Sequence, residues 1–421
     1  MSEADSLRVW MEDRVVGTLW RDTAGAMGFR YDPEWRETGF AISRSLPPAS
    51  GEFPPEALVA HRFFANLLPE GDARAQIVRE LRLPDTDFEL LRAIGGECAG
   101  ALSILPPDRK PSREYHYRKL DDEELARLAA RRGRIYTAGS LEERPRLSLA
   151  GAQNKCPVLR RDGCYWLPQG EAPSSHILKF ELADYRHVPA YETFTARLAA
   201  AVGLPVAEIR LRSIEGHRFA EIDRYDRIQD EHGEVRRLHQ EDFCQALGYG
   251  HEHKYQEHGG PSFADCYRLV QAISSEPALD VQHLLRWQVF NVLAGNSDGH
   301  AKNLALLYSP EGGIRLAPFY DMVCTRAIEG VDEHLALDVG GERNPSLVTR
   351  AHWEALARAC DVRPRFLLGL VNEMVGLLQE RLAPVRQAFE EEVGEYPALQ
   401  RIEQVISMQI RRAARALPAP R

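Results

Sequence analysis

Asp298 and Asn303 have four residues between them, and Asp321 follows after two short apolar runs, 304–308 and 314–316. The turn between the runs, Ser-Pro-Glu-Gly-Gly at 309–313, is rich in residues that reverse a chain. A hairpin over this stretch brings Asp321 back beside Asn303. A carboxylate, an amide oxygen and a second carboxylate then converge at one end. Hard oxygen donors of this kind suit Mg²⁺, which keeps several waters and draws its other ligands from one or two carboxylates and from substrate phosphates. The lead-in (Leu284, Leu285, Trp287, Val289, Phe290, Val292, Leu293) is apolar almost all round, so it reads as a buried helix that Gly295 ends. A surface hairpin with polar ends has the same Asp-x4-Asn spacing. The later Asp and the buried lead-in favour a positioned loop.

Three upstream stretches extend this chemistry. Residues 146–155, Arg-Leu-Ser-Leu-Ala-Gly-Ala-Gln-Asn-Lys, place small residues at Ala150, Gly151 and Ala152, where backbone N–H groups can approach a phosphate. The Gly-Lys-Ser/Thr ending of a Walker loop is missing, and an ordinary tight turn has similar composition. A hairpin, 156–160 and 164–167 around Arg161-Asp-Gly163, comes next. His176-Ile-Leu-Lys-Phe180 is a strand whose apolar flanks imply that Lys179 is buried, and a buried ammonium needs a carboxylate or a phosphate. The helix expected over 188–202 carries Glu192, the candidate partner of Lys179. Phosphate loop, hairpin, lysine strand, glutamate helix, Asp-x4-Asn, hairpin and Asp is the order of parts in a protein kinase.

The elements that must position these groups fall into three units: 1–108, 109–243 and 244–421. In the first, 7–10 and 15–20 alternate around a turn as a β-hairpin, and Phe29, Tyr31 and 40–43 suggest further strands. Helical periodicity follows over 55–68, 73–83 and from Asp85. Residues 63–71 have no chemical meaning that composition alone reveals. Residues 106–118 are rich in proline and charge and read as a linker. From about 244 the chain is mainly helical, at 262–274, 280–295, 350–359, 364–389 and 398–416, with Pro384 expected to kink or split the fourth. The fold class is α+β: a kinase-like two-lobed fold with an N-terminal α/β subdomain and a mainly helical C-terminal lobe.

Composition bounds the partners. A net charge of −9 over 421 residues excludes a stand-alone nucleic-acid binder by bulk charge. The seven cysteines are scattered without zinc or redox spacing, which predicts reduced thiols in the cytoplasm. No signal-peptide pattern and no apolar run of membrane-spanning length occurs, so no membrane partner is expected. Lysine is scarce: only Lys110, Lys119, Lys155, Lys179, Lys254 and Lys302 among 53 basic residues. Where arginine is the default cation, a retained lysine can mark a site that wants a compact charge.

At these residues the chain resembles the HipA family of Ser/Thr kinase toxins from bacterial type II toxin–antitoxin systems. The matching stretches are 63–71, 94–105, 148–155, 176–180, Arg224-Tyr-Asp-Arg227, Gln240-Glu-Asp-Phe243, Lys254-Tyr-Gln-Glu-His-Gly-Gly-Pro261, 298–303 and Pro318-Phe-Tyr-Asp321, in order along nearly the whole chain. The resemblance implies ATP and Mg²⁺ as cofactors. It implies Asp298 as catalytic base, Asn303 and Asp321 as metal ligands, and Lys179 as the phosphate-binding lysine with Glu192 as its possible partner. Ala150, Gly151, Ala152, Gln153 and Lys155 would cover the phosphates. Glu241 and Phe243 of the connector, with His300 and Lys302, complete the implied ATP site. Ser148 matches a serine whose autophosphorylation silences the kinase, and Arg146 is placed to pair with the added phosphate. The resemblance also implies a small helix-turn-helix DNA-binding antitoxin, DNA contact only through it, and a protein substrate such as an aminoacyl-tRNA synthetase.

Two other classes share parts of this pattern. A small-molecule kinase of the aminoglycoside or choline type has Asp-x4-Asn and a later metal Asp. A non-enzymatic co-repressor would need only the partner. The N-terminal unit and Ser148 favour the protein kinase over the first, and the complete metal set argues against the second as a sole role.

Overall fold

The computed structural model describes residues 5–112, 114–133, 146, 148, 155–231, 233–309 and 312–416. The stretch 149–154, with Ala150, Gly151, Ala152 and Gln153, lies outside the described residues.

Alternating apolar residues in Ser6–Met11 and Arg14–Arg21 pair them antiparallel, and Met27–Tyr31, Glu52–Phe53 and Leu102–Leu105 extend the sheet to five strands. Helices Val59–Ala65, Gly71–Leu81 and Asp87–Ile94 follow the fourth strand, and a core around Phe29, Phe63, Phe64 and Phe88 holds the unit together. Residues 40–43, expected as a strand, form none. Ile42 is spent on Tyr31, whose hydroxyl accepts from its amide at 3.2 Å, and on His239, which donates to its carbonyl at 2.7 Å.

The second sheet has six antiparallel strands in the order Ile209–Ile214, His217–Asp223, His176–Phe180, Lys155–Arg161, Cys164–Pro168 and Tyr117–Leu120. The last strand takes the end of the expected linker: Tyr117 pairs with Pro168 and Leu120 with Tyr165. In the centre, Lys155 stands opposite Lys179. Helix Val188–Ala201 lies against this sheet.

The largest core belongs to the helical lobe, where Phe263–Ile273, Pro277–Ala294, Arg350–Ala359, Pro364–Val393 and Leu399–Ala416 pack around Trp287 and Phe290. Pro384 does not split its helix, which runs unbroken for 30 residues. The proline is exposed, so the carbonyl that loses its partner can be hydrated. Embedded here is a three-stranded sheet, Gln240–Asp242, Ala305–Tyr308 and Ile314–Leu316, with the expected hairpin as its last two strands.

Candidate active site

Helix Pro277–Ala294 aims the 296–303 loop. Gly295 ends it in the left-handed region at φ 74°, where its N–H bonds to Asn291 O. The Asn296 side chain then donates to Asn291 Oδ1 at 3.0 Å, and Asn296 Oδ1 accepts the Asp298 amide at 3.2 Å. Ser297 is tied to Thr325 and to Glu333 O, each at 2.8 Å. Gly299 must be glycine, because a Cβ there would lie 2.6 Å from Asn291 Nδ2 and 3.2 Å from Trp287. The ring of Trp287 stacks on Phe319 at 5.8 Å, which fixes the segment leading to Asp321.

Asp298 is exposed at the mouth of a cleft of about 1010 Å³ that Asn303, Asp321, Lys155, Lys179, Glu192, His300 and Lys302 also line. Its Oδ1 accepts a 2.7 Å hydrogen bond from the Tyr255 phenol. Asn303 donates through Nδ2 to Asp298 O at 2.9 Å, which turns its amide oxygen away from that contact. Asp321 sits at φ 54°, a left-handed conformation that Asp tolerates better than most residues. The neighbouring Tyr320 hydroxyl donates to Lys302 O at 2.7 Å and ties the two ends of the hairpin.

Lys179 Nζ is 2.6 Å from Glu192 Oε1 and also pairs with Asp321. Burial opposes the Lys179 charge, but Asp321 and Glu192 outweigh it and raise its pKa. Burial likewise works against ionised Asp321, yet Lys179 and Lys155 hold that carboxyl well below its ordinary range. Glu192 is pushed up by burial, partly offset by Lys179. Its Oε2 is buried without a hydrogen-bond partner, as is His300 Nδ1.

The connector contributes Gln240 and Asp242 to the cleft, not the side chains of Glu241 and Phe243. Strand alternation explains this. Glu241 turns to the N-terminal unit and accepts from Ser43 at 2.5 Å, from the Arg44 amide at 3.1 Å and from Tyr308 at 2.6 Å. Phe243 is fully buried in the core.

Lys302 also departs from a phosphate-facing placement. Its ammonium meets Asn66 O at 3.1 Å, Asn66 Oδ1 at 3.0 Å and Glu70 Oε1 at 2.9 Å. Glu70 reaches Lys254 with its other oxygen at 2.8 Å. Burial would raise the Glu70 pKa, but the two ammonium groups bring it down to about 2. Residues 63–71, silent in the sequence, are thus one wall of the cleft. Lysine scarcity is the signal that pointed there, since four of the six lysines (Lys155, Lys179, Lys254, Lys302) line this cleft. Tyr255 had no signal of its own.

Ser148 is fully buried; its hydroxyl donates to Leu67 O and its amide to Glu97 O, both at 2.8 Å. The Arg146 guanidinium is taken by Ala93 O at 3.2 Å and by Arg92 O, at the C-terminal end of helix Asp87–Ile94. It is therefore not held out toward a phosphate on Ser148.

Can these residues receive Mg²⁺ and a nucleotide? Among the described residues, no three His, Cys, Asp or Glu side chains gather as a metal cluster. Asp321 with the Asn303 amide oxygen is instead the sparse set Mg²⁺ takes when phosphates and waters supply the rest. The unpartnered Nδ1 of His300 and the Lys155–Lys179 pair fit an anionic ligand, so the donor set suits the group.

A two-lobed kinase fold with an additional N-terminal unit is the class that this architecture defines. The HipA N-terminal domain family matches residues 7–105 and the HipA-like C-terminal domain family matches 147–382. The chain belongs to the HipA family. It is 37% identical to the putative kinase Y4mE of Sinorhizobium fredii over 90% of this chain and 91% of that protein. It is 30% identical to the serine/threonine-protein kinase toxin HipA of Shewanella oneidensis over 91% of this chain and 90% of that protein. A solved complex of the S. oneidensis HipA, HipB and operator DNA contains a chain that matches with a TM-score of 0.81 at 25% identity, covering 98% of this chain and 97% of that one. Among the described residues, no helix is long and apolar enough to cross a membrane.

Proposed function

We propose that this protein is an ATP- and Mg²⁺-dependent serine/threonine protein kinase, the toxin of a toxin–antitoxin pair, and that its own phosphorylation at Ser148 silences it. One observation carries the reading: Asp298, Asn303, Asp321 and the Lys179–Glu192 pair line one cleft although they are far apart in sequence. Bound Mg²⁺-ATP would supply the transferable phosphoryl group. Asp298 accepts the proton of the substrate hydroxyl on its carboxylate, with Oδ1 already held by Tyr255. Asn303 and Asp321 hold the metal. Lys179, kept charged by Glu192, binds phosphate oxygens with Lys155, His300 and the 150–153 backbone. The connector, which lines the cleft with Gln240 and Asp242 beside Glu241 and Phe243, receives the adenine. Lys302 orders the loop from behind.

The units 1–108, 109–243 and 244–421 are read as N-terminal subdomain, sheet-bearing lobe and helical lobe of a cytoplasmic enzyme. Its partner is a small helix-turn-helix antitoxin, and with a net charge of −9 any DNA contact comes through that partner. The substrate is a translation component of the aminoacyl-tRNA synthetase class. Incubation of the purified chain with labelled Mg²⁺-ATP and whole-cell lysate tests the activity. Label in one or a few proteins is expected; label only in small metabolites would make it a small-molecule kinase, and none would leave the co-repressor role. Expression without the partner should arrest growth through a block in translation, and unimpeded growth with active unmodified protein present would remove the toxin role.

A further inference from the structure

Glu70 makes two contacts whose consequences meet at one residue. Its Oε2 is 2.8 Å from Lys254 Nζ and its Oε1 is 2.9 Å from Lys302 Nζ. The residue after Lys254 is Tyr255, whose phenol bonds Oδ1 of Asp298 at 2.7 Å. The residue after Lys302 is Asn303, whose side chain bonds the carbonyl of Asp298 at 2.9 Å. One carboxylate of the N-terminal unit therefore restrains both chain segments that restrain Asp298, one through its side chain and one through its backbone. Asn66, four residues earlier at the end of helix Val59–Ala65, adds two oxygens to Lys302 and donates to Tyr249 O at 2.8 Å, near the start of the Lys254 segment.

A plain docking role does not account for this. The N-terminal unit is already fastened to the kinase lobes by other buried and half-buried bonds. Ser43 and the Arg44 amide hold Glu241, Gln245 donates to Phe63 O at 3.0 Å, and Arg62 donates to Gly248 O at 3.2 Å. Glu97 pairs with Arg224 and Arg227, each at 2.9 Å. Two further lysines on one largely buried carboxylate add little adhesion, because desolvation consumes most of the gain of a buried ion pair. What such a bridge does supply is fixed geometry, and it supplies it at the wall of the reaction cleft.

We propose that Glu70, assisted by Asn66, is a positioning residue of the phosphotransfer site. The N-terminal unit is then a working part of that site: it sets the orientation of Asp298 through the Lys254–Tyr255 and Lys302–Asn303 arms. The inference rests on the kinase reading above.

The test is steady-state kinetics of the full-length chain. Glu70→Gln keeps the shape and removes the charge that holds both lysines. It should lower kcat about 10- to 100-fold, the scale expected when a reacting group is misplaced by about 1 Å. KM for ATP should stay within about threefold; the thermal midpoint should fall, because buried Lys302 loses its carboxylate, so kcat is read at a temperature where the variant is fully folded. Glu70→Asp, which restores the charge, should recover part of kcat. Lys254→Gln frees only one arm and should give a smaller kcat loss. Arg62→Gln cuts a docking contact of the same unit away from the cleft and should leave kcat unchanged. A wild-type kcat in Glu70→Gln overturns the inference, as does an equal kcat loss in Arg62→Gln. If Glu70→Gln does not fold, Lys254→Gln decides, and a full kcat there overturns it. A wild-type chain that transfers no phosphate from ATP brings down the kinase reading and this inference together. An active wild type with an indifferent Glu70→Gln brings down the inference alone.

Discussion

The Tyr255 phenol and the Asp298 carboxylate share a 2.7 Å hydrogen bond at the mouth of the cleft. The bond engages Oδ1, so in the role proposed above Oδ2 is the oxygen left for a substrate hydroxyl. Burial and the Asp298 charge both push the Tyr255 pKa up, so the phenol remains a donor at any physiological pH. Asp298→Asn removes charge and basicity but keeps shape and can still accept this bond. It should fold and bind nucleotide as the wild type does while phosphotransfer falls by about 10²- to 10⁴-fold, the usual contribution of a positioned base. Rate and nucleotide affinity measured on the same preparation check it, and full activity in the variant would falsify the assignment.

Lys179 is shared between Glu192 and Asp321, so the metal-ligand candidate is neutralised by the very lysine assigned to phosphate. Asp321→Ala leaves Lys179 its second partner and should fold, while Mg²⁺-dependent nucleotide affinity falls at least about tenfold. Lys179→Met strands two carboxylates in a buried site. Removing one member of a buried ionic group typically costs about 3–5 kcal/mol, so its thermal midpoint should lie well below that of Asp321→Ala. Calorimetric melts with and without Mg²⁺-ATP give both readings. Equal midpoints would mean that Lys179 is not the charge balancing this pair.

That Asp298, Asn303, Asp321 and Lys179 share one cleft was legible because each comes with local context: a buried helix, a turn, an apolar strand. Periodicity also gave nearly every helix of the C-terminal lobe. What stayed hidden depends on tertiary approach. Nothing local in 63–71 says that Asn66 and Glu70 meet Lys302, some 230 residues on. Glu241 looked like a wall of the cleft, and only the strand register turns its side chain to Ser43. Pro384 misled because propensity ignores which face of a long helix a proline occupies.

Glu241 makes stability depend on pH in a definite direction. Burial raises its pKa from 4.5 to about 7 despite hydrogen bonds from Ser43 and Tyr308. Between these values the folded protein holds a proton that the unfolded chain has released. This group's contribution therefore declines as pH rises through about 7, by up to about 3 kcal/mol. Asp242 and His239 titrate nearby, to about 6 and about 4, so total stability is not the clean observable. The difference between Glu241→Gln and wild type is, because those groups are common to both. Urea unfolding at pH 5 and pH 8 should show that difference move in favour of the variant by about 2–3 kcal/mol. A pH-independent difference would place the Glu241 pKa in the ordinary carboxylate range.

Ser148 is the last and most demanding case. Its hydroxyl is on Leu67 O, its amide on Glu97 O, and no part of it is exposed. No phosphate can be added in this arrangement, so modification requires that the segment first leave the N-terminal unit. Once a phosphoserine with roughly −1.5 to −2 charge has formed, it cannot return to this fully buried place beside Leu67 O, where the neighbouring described cation, Arg146, is committed to Ala93 O and Arg92 O. The modified state should therefore be open at this point and weak for nucleotide, because the loop that follows is no longer anchored at its root. Wild type incubated with Mg²⁺-ATP should gain one phosphate by intact mass, mapped to Ser148, while Asp298→Asn gains none. Hydrogen exchange should then speed up at the Ser148 amide and at the Glu97 amide, which bonds Arg146 O at 2.8 Å. Ser148→Asp should reproduce only part of this, with less charge and fewer acceptor oxygens than a phosphate. A phosphate mapped elsewhere, or a modified enzyme that binds ATP as tightly as the unmodified one, sinks the proposal.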